Sequence, residues 1–360
     1  MNQKIYIFGA HSRARTLATY LQYLYPDVIV EAYLYDNEEP NPCIIDGIEV
    51  HLVSQSSCNG LHREYPVFLG TRGVFHERLT EKLRGMGFGQ IYPVTVEMDR
   101  KLRGAYLESY FKSAGREFRK IESLILRDGG VPKKPAAVYV VKSALDRPLQ
   151  QEYTPLPWEK EIQAGACLAE EKICGIADDT GENISKWNRQ FCELTALYWI
   201  WKNAEEDILG LSHYRRHFIL PEDWKERMEA NGVDVLLPVP LYVAPSLEEN
   251  YRERHDQAAW DCMMQCLKEK NEGSFREAEA FFKGNLYSPC NMFIMRKGVL
   301  DELCEWLFPL LFRTVEQVGE KPDCYQNRYP GFLSERLMTF FFERNREKYR
   351  VAYADKNFLQ

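Results

Sequence analysis

The sequence predicts an α/β protein of two domains, and three observations carry that prediction. Short apolar runs that read as buried strands alternate with amphipathic helical stretches, the pattern of parallel sheets covered by helices. A Gly- and Pro-rich break, GGVPKKP at 129–135, separates two such series. The length of 360 residues fits two domains at roughly 100–200 residues each.

Within residues 1–95, KIYIF (4–8) is a strand, followed by the turn and helix of GAHSRARTLATYLQYLY. VIVEAYLYD (28–36) is a second strand, GIEVHLV (47–53) is short and extended, PVFLGT (66–71) is a third buried strand and QIYPVT (90–95) a fourth. This series implies a small Rossmann-like, doubly wound parallel sheet. Residues 96–134 are charged and mostly helical and read as a helical linker between the domains. The second domain, 135–360, opens with the strand AAVYVVK (136–142), followed by KICGIA (172–177) and a polar loop at 178–188. QFCELTALYWIWKN (190–203) is apolar nearly all round and reads as one buried helix. DILGLSHY (207–214), DVLLPVP (234–240) and SPCNMFIMRK (288–297) are strands. Helices are expected at about 247–270, 275–283, 298–317 and 332–344.

Composition limits the function. The net charge is −7 with basic and acidic residues intermixed, so nucleic acid is a poor partner. Ten cysteines are scattered without a CxxC pair, and MNQKIYIFGA reads as a strand rather than a secretory leader, so reduced thiols and a cytoplasmic location are expected. Cys262 and Cys266 lie one helical turn apart, but a structural zinc site needs four ligands and no second pair is evident. No run of about 18 apolar residues predicts a membrane-spanning helix. WLFPLLF (306–312) is the most apolar stretch, suited to core burial or to docking on a membrane surface.

Five constellations can carry chemistry. GAHSRA (9–14) follows the first strand, and a glycine turn at a helix N-terminus can hold phosphate. Gly9, His11 and Ser12 would line that turn, with Asp36 placed to meet a ribose, although the full G-x-G-x-x-G fingerprint is absent. Without a ligand the same residues make a plain tight turn. HYRRHF (213–218) falls at the carboxyl end of a buried strand, where open sheets place their ligand crevice. Strand alternation would send His213, Arg215 and His217 to one side and Tyr214 and Arg216 to the other. Guanidinium groups bind phosphate oxygens in pairs; the competing reading has these arginines neutralised by the protein's own carboxylates.

The loop DDTGENISKWN offers Asp178, Asp179, Asn183, Ser185 and Asn188 to sugar hydroxyls, or as caps to the helix that follows. Asn291 interrupts an apolar strand and needs partners if buried. In PGFLSERL (330–337) a helix beginning near Leu333 would place Glu335 in its first turn, as an acceptor base or as simple compensation of the helix dipole. His255 and Asp256 are acceptor-side candidates or part of a solvated face.

NISKWNRQFCELTALYWIWKN, GLSHYRRHF, DVLLPVP, NMFIMRKGVLDELCEWLFPLLF and GFLSERL, in that order, resemble the glycosyltransferase-like domain-of-unknown-function family numbered 4422, whose members look like capsular polysaccharide, exopolysaccharide or lipopolysaccharide biosynthesis proteins. Residues 1–95 more loosely resemble the small nucleotide-binding-type domain attached to sugar-modifying enzymes. The first resemblance implies a glycosyltransferase A-type fold over 135–360 and transfer of sugar from a nucleotide-sugar donor to a saccharide or lipid-linked acceptor. Enzymes of that fold commonly hold a divalent metal with Asp-x-Asp; here HYRRHF stands in that place and Asp234 is alone. Arg215 and Arg216, with His213, would then supply the metal's charge, so a divalent metal is possible but not expected, and no other cofactor is called for.

The chemistry of the residues then assigns roles within that frame: Lys142, Ser143, Gln163 and Gly165 would meet the nucleotide, Asp178, Asn183, Asn188 and Asn291 base or sugar, and Glu335 or Asp256 would be the base if the reaction inverts, a base that a retaining reaction does not need. Peripheral contact with the inner face of the cell membrane would bring the protein to lipid-linked acceptors. The alternatives are a non-catalytic nucleotide-sugar-binding module and a dinucleotide-dependent sugar-modifying enzyme acting through the first domain.

Overall fold

Two main sheets form where the sequence places its apolar runs, as seen in a computed structural model that describes residues 3–36, 41–54, 60–126, 135–151 and 153–359. The chain divides into two units, Met1–Phe118 and Arg119–Gln360. Both mix helices with parallel-rich sheets, so the α/β expectation holds for each.

The first unit contains β1 (Gln3–Phe8), α1 (Ser12–Leu24), β2 (Val28–Tyr35), β3 (Ile44–Ile45), β4 (Ile48–Leu52), β5 (Val67–Leu69), α2 (His76–Gly85), β6 (Ile91–Pro93) and α3 (Val96–Ser113). Its sheet runs β3-β4-β2-β1-β5-β6, parallel throughout except for the β3–β4 hairpin. The helix α3 is capped by Thr95, whose Oγ1 accepts from the Met98 N–H at 3.2 Å. Its Tyr106 lies 4.9 Å from the ring of Tyr20 on α1. Residues 96–113 are therefore part of the first unit's own packing, and the expected linker 96–134 is divided between the two units. The break at 129–135 lies, apart from Pro135, outside the described residues.

The second unit contains β7 (Ala136–Lys142), β8 (Glu159–Gln163), β9 (Ile176–Ala177), α4 (Asn188–Phe191), α5 (Leu194–Asn203), β10 (Ile208–His213), β11 (Phe218–Ile219), α6 (Trp224–Ala230), β12 (Val235–Pro238), β13 (Leu241–Tyr242), α7 (Leu247–Arg252), α8 (Gln257–Lys270), α9 (Glu272–Phe282), β14 (Leu286–Tyr287), β15 (Phe293–Arg296), α10 (Lys297–Val318), α11 (Tyr329–Arg344) and β16 (Val351–Lys356). Its main sheet has the order β11-β16-β12-β15-β10-β7-β8-β9. One face is covered by α5, α8, α10 and α11, burying Leu197, Trp260, Leu303, Phe308 and Leu337; the other buries Trp224, Met228 and Ile294. Each such side chain contributes roughly 1.5–3 kcal/mol.

Two expected helices are each broken in two. The run at 190–203 is interrupted at Cys192, whose φ of +47° no helix accepts. The run at 247–270 breaks before Asp256, which caps α8. The stretch 306–312 lies inside α10, with Leu307, Phe308, Leu310 and Leu311 buried. Among the described residues no helix is long and apolar enough to cross a membrane.

Candidate functional site

In the second unit, β7 has parallel neighbours on both sides, β8 and β10. The chain walks from β7 out to β8 and β9, then returns to β10 on the opposite side of β7. The direction of winding reverses between β7 and β10, so the carboxyl ends of these two strands frame a crevice. The strand β15 runs antiparallel to β10, so the loop before it, 288–292, reaches the same edge. The strand β16 is parallel to β12, which like β10 pairs antiparallel with β15, so residues following Lys356 reach it too.

HYRRHF does not continue as a strand. The His213 N–H donates to the Arg216 carbonyl and the Arg216 N–H to the His213 carbonyl, both at 3.0 Å, closing a turn with Tyr214 and Arg215 at its tip. The expected alternation of sides is thereby corrected. His217 turns inward instead: it is 1% exposed, and its Nδ1 lies 2.8 Å from Glu159 Oε1. Tyr153 stacks on the His217 ring at 3.8 Å, and its hydroxyl donates to Glu159 Oε2, as does the Leu156 N–H. Burial raises the Glu159 carboxyl, but the hydrogen bonds from His217, Tyr153 and Leu156 outweigh it and hold the pKa below the usual range. The far side of the turn is tied to the segment after β16. The Asn357 N–H donates to the His217 carbonyl, the His217 N–H to Asn357 Oδ1, and the Leu359 N–H to the Arg215 carbonyl.

Held this way, Arg215 and Arg216 lie against aromatic rings. The Arg215 guanidinium is 5.0 Å from the Tyr214 ring and 5.5 Å from that of Phe358; Arg216 is 5.2 Å from Phe358. Arg215 Nε is buried without a hydrogen-bond partner. Among the described residues no carboxylate lies within 4.0 Å of either guanidinium. The nearby Asp146 carboxyl is raised by burial, against the Ser143 N–H it accepts at 2.7 Å and the field of Arg215. Asp146 thus feels the charge of Arg215, and Glu335 that of Arg216, without an ion-pair contact to either guanidinium among the described residues.

Beside the turn lies a second group. His213 Nε2 donates to the Cys290 carbonyl at 2.6 Å; a carbonyl only accepts, so this nitrogen carries the proton. Burial pushes the His213 pKa down, partly offset by Glu193. The Cys290 N–H donates to Glu335 Oε1 at 2.8 Å. Asn291 Nδ2 donates to Glu193 Oε1 and to the Gly331 carbonyl, while its Oδ1 is buried and unpartnered. Cys290 and Asn291 have φ of +76° and +51°, a strained pair of the kind found where function fixes the backbone. Burial raises the Glu335 carboxyl, Arg336 at 3.6 Å opposes this, and Glu193 adds to it. Because α11 starts at Tyr329, Glu335 sits in its second turn, and dipole compensation is not its role.

Other expected site residues spend their polar groups on their own loops. Gln163 is fully buried, donating to the Glu171 carbonyl and accepting from the Ile173 N–H. Asp178, also fully buried, accepts from the N–H groups of Gly165 and Ala166 and from Ser185 Oγ. Gly165 has φ +67°, and a Cβ there would lie 2.5 Å from Asn188 Oδ1. Asn188 donates to the Cys192 carbonyl and to Thr195 Oγ1, and Asn183 closes a local turn with Gly181 and Ser185. Gln163 and Gly165, expected at the nucleotide, and Asp178, Asn183 and Asn188, expected at base or sugar, thus spend these bonds on the framework of the 163–195 segment. Lys142 pairs with Glu161 at 2.5 Å, while Ser143 stays at the crevice through its bond to Asp146. Asp256 is corrected from base to cap: Oδ1 accepts from the Ala259 N–H and Oδ2 pairs with Lys321.

In the first unit, Gly9 (φ +126°) makes the tight turn after β1, where a Cβ would meet Ala14 Cβ at 3.2 Å and the Gly70 carbonyl at 3.3 Å. His11 is the residue before α1 and makes no side-chain cap, and Ser12 opens the helix. Asp36 is held by Arg78 and Lys82, both at 3.0 Å. Burial raises its carboxyl, but those two cations win and keep its pKa low; both engage Oδ2 of the carboxylate expected at a ribose. Among the described residues no three His, Cys, Asp or Glu side chains are grouped to hold a metal. Sequence reasoning missed Asp146, Tyr153, Glu159, Glu193 and Phe358. The spacing Ser143-x-x-Asp146 was a turn signal; the others bear no local mark.

The family model described as "Domain of unknown function (DUF4422)" matches residues 149–346. No curated protein matches the chain. Among solved structures, the apo form of WbbM, a bifunctional glycosyltransferase, is similar with a TM-score of 0.54 at 24% identity. That likeness covers 62% of this chain and 45% of WbbM, and it is a likeness of fold.

Proposed function

The chain belongs to the DUF4422 family, whose match covers more than half of it, and from that premise we propose that it is a glycosyltransferase using a nucleotide-sugar donor. The observation that carries this reading is the pair Arg215 and Arg216 at the reversal point of the second sheet, cationic and, among the described residues, with no carboxylate within 4.0 Å. The likeness in fold to a glycosyltransferase points the same way, as analogy.

In this reading the two guanidiniums hold the donor diphosphate. The bond from the anomeric carbon to the diphosphate oxygen breaks, a bond to the acceptor hydroxyl oxygen forms, and the arginines stabilise the charge that develops on the leaving group. In an inverting transfer Glu335 takes the hydroxyl proton; its raised pKa makes it a better base than an ordinary carboxylate. The guanidinium pair makes a divalent ion dispensable. The acceptor is a saccharide or lipid-linked saccharide of a cell-surface polysaccharide, met in the cytoplasm or at the inner face of the membrane.

The experiment is a panel of UDP-, GDP-, dTDP- and CMP-sugars incubated with the protein in EDTA, following release of the nucleotide. One donor class should be consumed, and Arg215→Ala should slow this by about 100-fold or more. A donor that binds but is never consumed, with any saccharide acceptor, would favour the binding-module reading.

A further inference from the structure

Phe358 is 53% exposed. A single exposed phenylalanine is ordinary, but this ring has two guanidiniums on it, 5.5 and 5.2 Å from its centroid. Its two neighbours fix its place: Asn357 is bonded twice to His217 and Leu359 to Arg215. The ring is thus locked to the same turn that carries the arginines.

We propose that Phe358 is a positioning residue that presents Arg215 and Arg216 together as one anion-binding pair. The inference rests on the diphosphate reading of that turn and adds to it the device that orders the cations. Two guanidiniums drawn to one ring carry like charges, and among the described residues no carboxylate within 4.0 Å relieves them. The negative face of an aromatic ring offsets part of that repulsion. Unlike a carboxylate, it does so without consuming the N–H groups. Apart from the buried Arg215 Nε, their N–H groups are left for a diphosphate, which guanidiniums bind in paired fashion. A leucine would fill similar space but has no quadrupole to hold a cation.

The probe is inorganic pyrophosphate, titrated by calorimetry into the full-length protein, Phe358→Leu and Phe358→Trp. In parallel, the side-chain Nε–Hε resonances of Arg215 and Arg216 are followed by NMR without ligand, assigned with R215K and R216K. Phe358→Leu is expected to weaken pyrophosphate about five- to tenfold and to move both resonances toward those of free arginine, with the thermal midpoint unchanged. Phe358→Trp should restore affinity. If Phe358→Leu leaves both affinity and resonances as in the parent, or if the parent binds no pyrophosphate, the inference is overturned. A parent that shows the expected losses yet consumes no nucleotide sugar leaves it standing and overturns the transfer reading instead.

Discussion

Replacing Glu159 by alanine tests the buried anchor of the arginine turn. The carboxylate, 2% exposed, is approached by three donors: His217 at 2.8 Å, the Tyr153 hydroxyl at 2.5 Å and the Leu156 N–H at 2.9 Å. Alanine leaves the His217 and Tyr153 donors without that acceptor, at about 1–3 kcal/mol each, while the exposed Leu156 N–H can turn to water, so a loss of about 2–6 kcal/mol is expected. Glutamine behaves differently. Its oxygen can still accept from Tyr153 and Leu156, and its amide can donate to His217 Nδ1 if the imidazole keeps its proton on Nε2, which faces the Tyr214 carbonyl at 3.3 Å. Glu159→Gln should therefore cost about 1 kcal/mol.

Urea unfolding followed by tryptophan fluorescence reads the correct unit, because all seven tryptophans lie after residue 118. The pH dependence has a defined sign. The folded-state pKa of Glu159 is depressed, so its contribution is full above the ordinary carboxylate pKa and is lost as pH falls through the folded value. The gap between parent and Glu159→Ala should be widest near neutrality and close in acid. An alanine variant within about 1 kcal/mol of the parent at pH 7, or a gap that grows in acid, would refute the reasoning.

Gly165→Ala should destabilise the second unit by about 2–4 kcal/mol in the same assay, combining left-handed strain with displacement of Asn188 from its two hydrogen bonds; a neutral result would mean the loop can reshape freely. Glu335→Gln should lower kcat by about 10²–10⁴. Because the base works deprotonated and burial raises its pKa, the parent's rate should climb with pH through that raised value, and the variant's pH profile should lack this limb. A variant that retained both rate and limb would remove Glu335 from the mechanism.

The parallel strands, the deeply apolar helices and the place of HYRRHF at a strand end were legible because periodicity and apolar runs report burial directly. β8 was not. Its sequence EKEIQ reads as polar, yet Gln163 and the side chain of Glu159 are buried because hydrogen bonds from elsewhere in the unit satisfy them, which no local pattern encodes. The turn at 213–216 was misread as strand for a similar reason: what closes it is the inward pull of His217 on Glu159, 58 residues away in sequence. Asp178, Asn183 and Asn188 looked like ligands because loops rich in Asp and Asn serve both recognition and self-capping; here their bonds fall within the loop. Glu193 and Phe358 join the site through contacts across about 100 and 140 residues of chain.

Whether Arg215 and Arg216 hold the diphosphate of an activated sugar is decided by calorimetric titration of UDP, GDP and dTDP, each beside its monophosphate, into the parent and into Arg215→Ala and Arg216→Ala. A diphosphate should bind the parent more tightly than its monophosphate and lose about 10- to 100-fold in either variant, the worth of one charged hydrogen-bonded contact. Equal affinity in parent and both variants would contradict that role.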